Sequence, residues 1–326
     1  MTSLSRRSLL CAAVGALAPG TLPAAPAGPF TRSPAPAGDA RTLEAVCDPR
    51  RLAVNDYAVL DALQAWGLDD RIVCAADPAV LGYLKPLKQG IVLPGGLKND
   101  HRELLERIKP DLIFVSARLS RSLPGLRSIA PAMSLAPDYS RGAFKSCREN
   151  LRTLAALFGL ESRAEEEIAA AQQRVQGLTE RLSGKTHVVL MVNNARLHLL
   201  PPGGRASFAS DAAGLVKLHK AAAGAGGRRP ARMADAREQA RSNEAVLERV
   251  LALRPDFVLV LNKDLAVGRP NPGAAGVLSP KAWRRVEEAF RGRIAQLHPQ
   301  AWYLGEGGVQ GCRIMLGDLE RLAARA

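Results

Sequence analysis

The sequence predicts an α/β protein built from two Rossmann-like lobes that a single long helix joins. A helix-like stretch that ends in a basic residue, Pro and Asp, followed by an apolar strand, occurs twice, around Pro110 and around Pro255. Each strand, residues 112–115 and 257–261, is apolar throughout, which is typical of parallel strands buried on both faces. Between the two copies, residues 162–182 form a stretch of 21 residues without proline. We expect this stretch to be a helix of roughly 30 Å that spans both lobes.

Each copy of the repeat also places a cation after its strand. Arg118 and Lys263 both lie eight positions beyond the proline of their copy, and about 145 residues separate the two prolines. That spacing is too long for a solenoid repeat, so each copy is interpreted as a lobe of its own. Because ligands of open α/β sheets bind beyond the carboxyl ends of the strands, we expect the two cations to face a shared crevice.

Local patterns place the remaining elements. The first lobe is predicted to contain strands at 52–54, 72–74 and 112–115 and helices over 58–66, 101–109 and 141–157. The second lobe is predicted to begin with a strand at 188–192 and to contain helices over 243–253, 282–290 and 310–324. Residues 221–230 and 271–273 are predicted loops, the first of them mobile, because glycine, proline and small residues break the periodic pattern there.

The first 41 residues are predicted to lie outside the folded lobes. Residues 1–27 contain paired arginines, an apolar stretch and an Ala-Pro-Ala site, as in a cleavable secretory signal peptide. The paired arginines point to the Tat route, with the Sec route as the alternative. We expect a disordered leader at 28–41, a first lobe at 42–160, a connecting helix at 161–183 and a second lobe at 184–326. The protein is therefore expected in the periplasm.

Composition and motifs exclude several classes of protein. With 326 residues, 47% of them hydrophobic and 23% charged, the chain is expected to be globular. Its formal net charge of +14 favours acidic partners, but the absence of a dense basic run with interleaved aromatics argues against nucleic acid. The sequence has no nucleotide-binding, nucleophile-elbow or zinc-protease motif in a convincing context, and its five histidines lack metal-ligand spacing. Neither an enzyme nor a protein-bound metal or cofactor is expected.

Four cysteines remain beyond the predicted signal peptide: Cys47, Cys74, Cys147 and Cys312. None forms a Cys-x-x-Cys pair, so a zinc site is not expected. One or two disulfides fit an oxidising compartment, and buried free thiols fit the spacing equally well.

Three cations and two aromatic residues are the candidate ligand contacts. Arg205 lies in a glycine-rich loop and, like Arg118 and Lys263, follows a predicted strand rather than lying on a helix face. Three cations that converge from two lobes would neutralise a multiply charged anion, and arginine can add cation–π contacts. Trp302 and Tyr303 follow another predicted strand, and they are either part of the lobe core or a wall of the ligand site.

Several segments of the chain resemble the periplasmic iron–siderophore binding proteins of ABC transporters, most closely those that take ferric catecholates. They cover nearly the whole predicted mature chain and comprise residues 55–63, 82–85, 108–118, 129–131, 148–154, 190–193, 301–304 and 307–310. The resemblance implies the helical-backbone type of metal-receptor binding protein, with its ligand held shallowly between two lobes and little hinge motion. It also implies that the chain delivers a ferric siderophore to an inner-membrane ABC permease, and we expect a monomer.

The resemblance extends to the candidate contacts, with two departures. Arg118 and Arg205 match basic residues that face the ferric catecholate, and Lys263 stands where the family usually has arginine. Members that ligate iron carry a His-Gly before the helix predicted at 243–253, and here Arg241 lies in that stretch. A fourth cation is therefore expected in place of an iron ligand, with Tyr303 as a wall of the site.

Other functions compete with this interpretation. A haem or a corrinoid could bind the same fold, and absorbance with haem against ferric catecholate would separate the two. A metal-dependent α/β enzyme of the periplasm would need a cluster of histidines and carboxylates, whereas an adhesin for anionic polymers would bind without 1:1 stoichiometry.

Overall fold

A parallel sheet organises the first lobe. The computed structural model describes residues 48–218, 236–269 and 280–325. Four strands form the first sheet in the order β2 (Ile72–Ala75), β1 (Leu52–Asn55), β3 (Leu112–Val115) and β4 (Ala132–Met133), with every pair parallel. All residues of β3 are buried, as its unalternated apolar sequence predicts for a strand covered on both faces.

Helices cover both faces of this sheet. Leu52 and Val54 of β1 face one cluster of buried side chains, and Ala53 faces the other. Asp56 ends the strand and caps the first helix, because its carboxylate accepts hydrogen bonds from the N–H groups of Ala58 and Val59. The helices are α1 (Tyr57–Ala65), α2 (Arg102–Ile108), α3 (Leu123–Leu126) and α4 (Ala143–Ala156). Four 3-10 segments accompany them, at Asp69–Arg71, Pro78–Leu81, Ala117–Ser122 and Tyr139–Arg141.

One long helix, α5 (Glu161–Leu182), connects the two lobes. Ala164, near its start, is buried in the core of the first lobe. Leu178 and Leu182, near its end, are buried in the core of the second lobe. The expectation of a single unbroken helix that spans both lobes is confirmed.

The second lobe has a mixed sheet with β5 (Thr186–Asn193) at its centre. The order is β6 (Arg196–Leu199), β5, β8 (Phe257–Asn262) and β9 (Ile294–Gln296), and β6 is antiparallel to β5. A short strand, β7 (Val216–Lys217), pairs with the start of β5 in parallel. The helices are α6 (Phe208–Ala213), α7 (Ala236–Leu253), α8 (Lys263–Ala266), α9 (Pro280–Ala289), α10 (Pro299–Tyr303) and α11 (Val309–Ala323).

The Pro-Asp unit of the repeat makes the same connection in both lobes. Asp111 accepts hydrogen bonds from the N–H groups of Arg50 and Arg51, at 2.7 and 3.0 Å, just before β1. Asp256 accepts hydrogen bonds from the N–H and the hydroxyl of Thr186, at 2.7 and 2.8 Å, at the start of β5. Each carboxylate therefore joins the two central strands of its lobe at their amino ends, and the sequence repeat is a repeat of structure.

The last helix ties the second lobe to the first. Asp61 of α1 is buried, and its two oxygens accept hydrogen bonds from the N–H groups of Gln310 and Gly311 at 2.9 and 2.7 Å. These N–H groups lie in the first turn of α11, where a carboxylate is stabilised by unpaired donors and by the helix dipole. Val309, in the same turn, is buried in the core of the first lobe. Helix α11 therefore helps α5 to hold the lobes together.

The main difference from the predicted elements is the length of α7. It begins at Ala236, well before the predicted start at residue 243, so the stretch around Arg241 is helical and not a loop. Gln239 and Asn243 fasten this helix, because both side-chain amides donate hydrogen bonds to the carbonyl oxygen of Ala195, at 2.8 and 3.1 Å. The predicted signal peptide, the leader and the loops at 221–230 and 271–273 lie outside the described residues.

Over residues 48–218, 236–269 and 280–325, no helix is both long and apolar enough to span a membrane.

Candidate functional site

Three cationic side chains surround the ring of Tyr303. The guanidinium carbons of Arg205 and Arg118 lie 4.3 and 5.6 Å from the ring centroid, and Nζ of Lys263 lies 5.6 Å from it. Arg118 belongs to the first lobe and the other three residues belong to the second, so the group bridges the crevice. We refer to these four residues as the Tyr303 cluster.

The fold brings the cluster together at the carboxyl ends of the central strands. Arg118 lies in the 3-10 segment that follows β3 directly, and Lys263 is the first residue of α8, directly after β8. Tyr303 is the last residue of α10, the short helix that follows β9. The two cations of the sequence repeat therefore meet at one ring, each delivered by the equivalent strand of its lobe.

Arg205 is held in place by the residue it covers. Its Nη1 donates a hydrogen bond of 2.7 Å to the backbone oxygen of Tyr303, and its guanidinium lies over the ring of the same residue. Arg118 is exposed, and it lies near the buried cap of α1. Burial raises the pKa of this cap, Asp56, and the charge of Arg118 opposes part of the rise. The cluster thus contains one arginine that is held by a hydrogen bond and one that is exposed.

Trp302 belongs to the core, and the prediction that it contacts a ligand is wrong. Its side chain is fully buried, and its Nε1 donates a hydrogen bond of 2.7 Å to Asp318. Its ring packs edge-on against Phe208, with centroids 5.8 Å apart. Successive residues of a helix point about 100° apart, so α10 turns Trp302 inward while Tyr303 faces the crevice. Of the aromatic pair, Tyr303 alone meets the cations.

Arg241 lies apart from the Tyr303 cluster. It is exposed on α7, two residues before Asn243, which is buried and accepts a hydrogen bond of 2.9 Å from the N–H of Leu197. Residues two apart in a helix point to nearly opposite sides. Since Asn243 faces the sheet, Arg241 faces solvent, and the expected fourth cation is not at the ring.

A buried carboxyl group, which the sequence analysis did not single out, lies behind the cluster. Glu306, in the glycine-rich turn between α10 and α11, is 7% exposed, and its Oε2 accepts a hydrogen bond of 2.7 Å from the hydroxyl of Tyr139. Burial raises its pKa to about 7, while this hydrogen bond and the charge of Arg205 act in the opposite direction. The sole sequence signal was one acidic residue among glycines, which is also what an ordinary turn looks like.

The thiols of the described residues lie in surroundings that disfavour the thiolate. Cys74, Cys147 and Cys312 are free, and Cys47 lies outside the described residues. Burial raises the pKa of Cys74 to about 11 and that of Cys312 to about 12, so both remain protonated at neutral pH. In the described parts of the chain, no group of three or more His, Cys, Asp or Glu side chains is placed to hold a metal ion.

The architecture and the crevice define a class of protein. Two lobes with parallel strands, one connecting helix and positive charge at the strand ends are typical of a solute-binding protein. Residues 52–230 match the family described as periplasmic binding protein, and this chain belongs to that family. The predicted fold class is confirmed.

Individual relatives agree with this assignment. The petrobactin-binding protein YclQ of Bacillus subtilis is 23% identical over 276 residues, which cover 84% of this chain and 82% of YclQ. The crystal structure of YclQ has a TM-score of 0.72, with 87% of this chain and 95% of YclQ covered. The iron uptake ABC transporter substrate-binding protein PiuA of Streptococcus pneumoniae is 24% identical, with a TM-score of 0.74 and coverage of 92% and 100%. The catecholate-siderophore binding protein VctP of Vibrio cholerae is 20% identical, with a TM-score of 0.65 and coverage of 85% and 95%.

Proposed function

We propose that this protein captures a ferric siderophore, of the anionic catecholate kind, in the crevice at the Tyr303 cluster. The observation that carries the proposal is the convergence of Arg118, Arg205 and Lys263 on one aromatic ring from both lobes. The names of YclQ and VctP, a petrobactin-binding and a catecholate-siderophore binding protein, support the same class of ligand. Arg241 and Trp302, given their positions, are not part of the proposed contact set.

Electrostatics favours a polyanion at this place. A cation about 4 Å from a unit negative charge gains about 4 kcal/mol at an effective dielectric constant near 20, before desolvation. Arg118 is exposed, so solvent and salt screen part of its contribution. Arg205 and Lys263 are half-buried, and their interaction with an anion is screened less. The ring of Tyr303 adds an apolar face on which a flat catechol can lie.

The proposed action is binding without chemistry. The protein would hold the complex in the periplasm as a monomer and deliver it to an inner-membrane ABC permease, with no cofactor of its own. Association costs and desolvation offset much of the gross attraction, and we expect the dissociation constant that remains to be sub-micromolar.

The first test is a fluorescence-quenching titration with a ferric tris-catecholate. Arg118→Ala or Arg205→Ala should weaken binding by about 1–3 kcal/mol, because each removes a charged hydrogen-bond partner of the anion. Arg121→Ala is the matched control, since Arg121 is exposed in the same 3-10 segment as Arg118 and should leave affinity unchanged.

A comparison of ligands distinguishes the proposed ferric catecholate binding from the binding of haem on the same fold. A neutral ferric hydroxamate should be affected less by either substitution, because it lacks the charge that the arginines face. Equal losses for the neutral and the anionic complex, or tighter binding of haem than of ferric catecholate, would contradict the proposal.

A further inference from the structure

Glu306 lies behind the Tyr303 cluster and is withdrawn from solvent. It follows Tyr303 by three residues, in the turn that leads from α10 to α11, and it is 7% exposed. Oε2 accepts the hydrogen bond from Tyr139, whereas Oε1 is buried without a hydrogen-bond partner. One oxygen is therefore free to carry a proton without breaking a contact of the carboxyl group.

The groups that face Glu306 come from several elements. Tyr139 lies in the 3-10 segment before α4, Cys147 lies in α4, Arg205 lies in the loop before α6, and Asp211 lies in α6. Arg205 is the cation among them, and its Nη1 is already bonded to the backbone oxygen of Tyr303. Across residues 48–218, 236–269 and 280–325, no cationic side chain comes within ion-pair distance of Glu306. An ionised Glu306 is thus a buried negative charge that accepts a hydrogen bond from Tyr139 but has no cation in direct contact with it.

The two protonation states of Glu306 produce different electrostatic potentials in the crevice. When Glu306 is ionised, its charge opposes the attraction of Arg205 for an anion; when it is protonated, this opposing charge is removed. Burial brings the pKa to about 7, so both states are populated at neutral pH. An anion bound at the cluster repels the ionised form and raises this pKa further.

We propose that Glu306 is a positioning residue that couples anion binding at the Tyr303 cluster to the uptake of one proton. The proton comes from solvent and binds the unpartnered Oε1, and it returns to solvent when the anion leaves. This inference rests on the proposed function and adds to it a dependence on pH.

The coupling of anion binding to protonation of Glu306 determines how the affinity changes with pH. Glu306 is ionised above pH 7 and must be neutralised on binding, so affinity falls as pH rises. With a pKa of about 7 in the free protein, affinity should fall about tenfold between pH 6 and pH 8. Glu306→Gln has the shape of the neutral acid and no charge to titrate. It should bind about tenfold more tightly than the unaltered chain at pH 8 and equally at pH 6.

The experiment is a titration of the full chain with ferric tris-catecholate between pH 6 and pH 8. The ratio of the two affinities at each pH cancels the titration of the probe itself, because both proteins meet the same complex. Glu161→Gln, an exposed position at the start of α5, is the matched control and should follow the unaltered chain. Tyr139→Phe removes the hydrogen bond that lowers the pKa of Glu306 and should move the midpoint to higher pH without touching the carboxyl group.

Each outcome decides the question. A ratio that grows with pH for Glu306→Gln, with a midpoint that moves upward in Tyr139→Phe, supports the inference. Binding by both proteins with the same pH profile overturns the inference and leaves the proposed function standing. Absence of binding by the unaltered chain throughout the range overturns the proposed function, and the inference with it.

Discussion

The ring of Tyr303 is a platform on which charge from two lobes is assembled. Its face lies within cation–π distance of three side chains, and its backbone oxygen accepts the hydrogen bond that holds Arg205. Such contacts are worth about 0.5–2 kcal/mol each, depending on how far the cation is desolvated. If the proposed ligand binds here, the ring holds the cations in place beforehand, which reduces the cost of ordering them on binding.

Substitution of Tyr303 separates the role of the ring from that of the phenol. Tyr303→Phe keeps the aromatic face and the backbone oxygen, so affinity for a ferric tris-catecholate should change by less than tenfold, about 1.4 kcal/mol. Tyr303→Ala loses the platform and should weaken binding more. Fluorescence quenching measures both, and a phenolate-to-iron absorbance band that disappears in Tyr303→Phe would show instead that Tyr303 ligates the metal.

Among single residues, the sequence predicts those whose position depends on their immediate neighbours in the chain. Arg118 and Lys263 were found because each lies within three residues of the end of a buried strand, and parallel strands end at a fixed edge of the sheet. Trp302 was ambiguous because a helical turn decides which of two neighbouring aromatics is buried. Glu306 and Tyr139 lie 167 positions apart, and their pairing depends on tertiary contacts that no local pattern reports.

The turn between α10 and α11, in the second lobe, packs closely against side chains of the first lobe. A Cβ atom on Gly305 would overlap the hydroxyl of Tyr83, and one on Gly308 would overlap the carboxylate of Asp61. Tyr83 and Asp61 both belong to the first lobe, so these two glycines leave room for side chains of the opposite lobe. Gly305 and Gly308 are therefore needed for the close approach of the two lobes. The turn does not resemble a phosphate-binding loop, because the lysine of such a loop is absent from it.

Gly308→Ala should therefore destabilise the protein, by about 1–3 kcal/mol as for other overpacked positions. Gly308 has a φ of −78°, which alanine adopts freely, so the cost is steric. The matched control is Gly177→Ala, in the exposed face of α5, where a new Cβ meets no atom within 4 Å. That change should stabilise the helix by about 0.5–1 kcal/mol. Urea unfolding measures both, and equal effects of the two substitutions would contradict the assigned fit.

Elements were predicted well where a periodic pattern ends at a strong stop signal. The strand that begins at Leu112 and the helix that ends at Leu182 were read from the sequence because proline, glycine or a change of period marks their limits. The start of α7 was missed, because Gln239 and Asn243 hold its first turns through the distant carbonyl of Ala195. The local sequence agrees with the helix, because alanine, arginine, glutamate and glutamine, which favour helices, make up most of residues 236–242.

The whole molecule is a pair of lobes joined by α5, by the contacts of α11 with the first lobe, and by hydrogen bonds such as that between Tyr139 and Glu306. α5 enters both cores, and α11 is bound through Asp61 and Val309 to the first lobe. Asp61 is buried, and this burial raises its pKa to about 6. Opening the lobes as a hinge would expose this apolar seam and break two hydrogen bonds to a buried carboxylate, which costs several kcal/mol in total.

Small-angle X-ray scattering should therefore give superimposable curves for the free and the loaded protein. Asp61→Ala, which unfastens α11 from α1, is the comparison and should allow the larger change on loading. A contraction of the unaltered chain on binding ferric catecholate, as large as that of the variant, would show that the seam opens in the free protein.

Because α11 packs on the first lobe, folding of that lobe depends on the order in which the chain is synthesised. Asp61 and the N–H group of Gln310 are separated by 249 positions. At about 5–20 residues per second, a ribosome needs roughly 12–50 seconds to bring the second partner into existence after the first. Until then the first lobe lacks Val309 in its core, and the carboxylate of Asp61 lacks the N–H groups that donate hydrogen bonds to it. The first lobe, although made first, is completed only when the last helix has been synthesised.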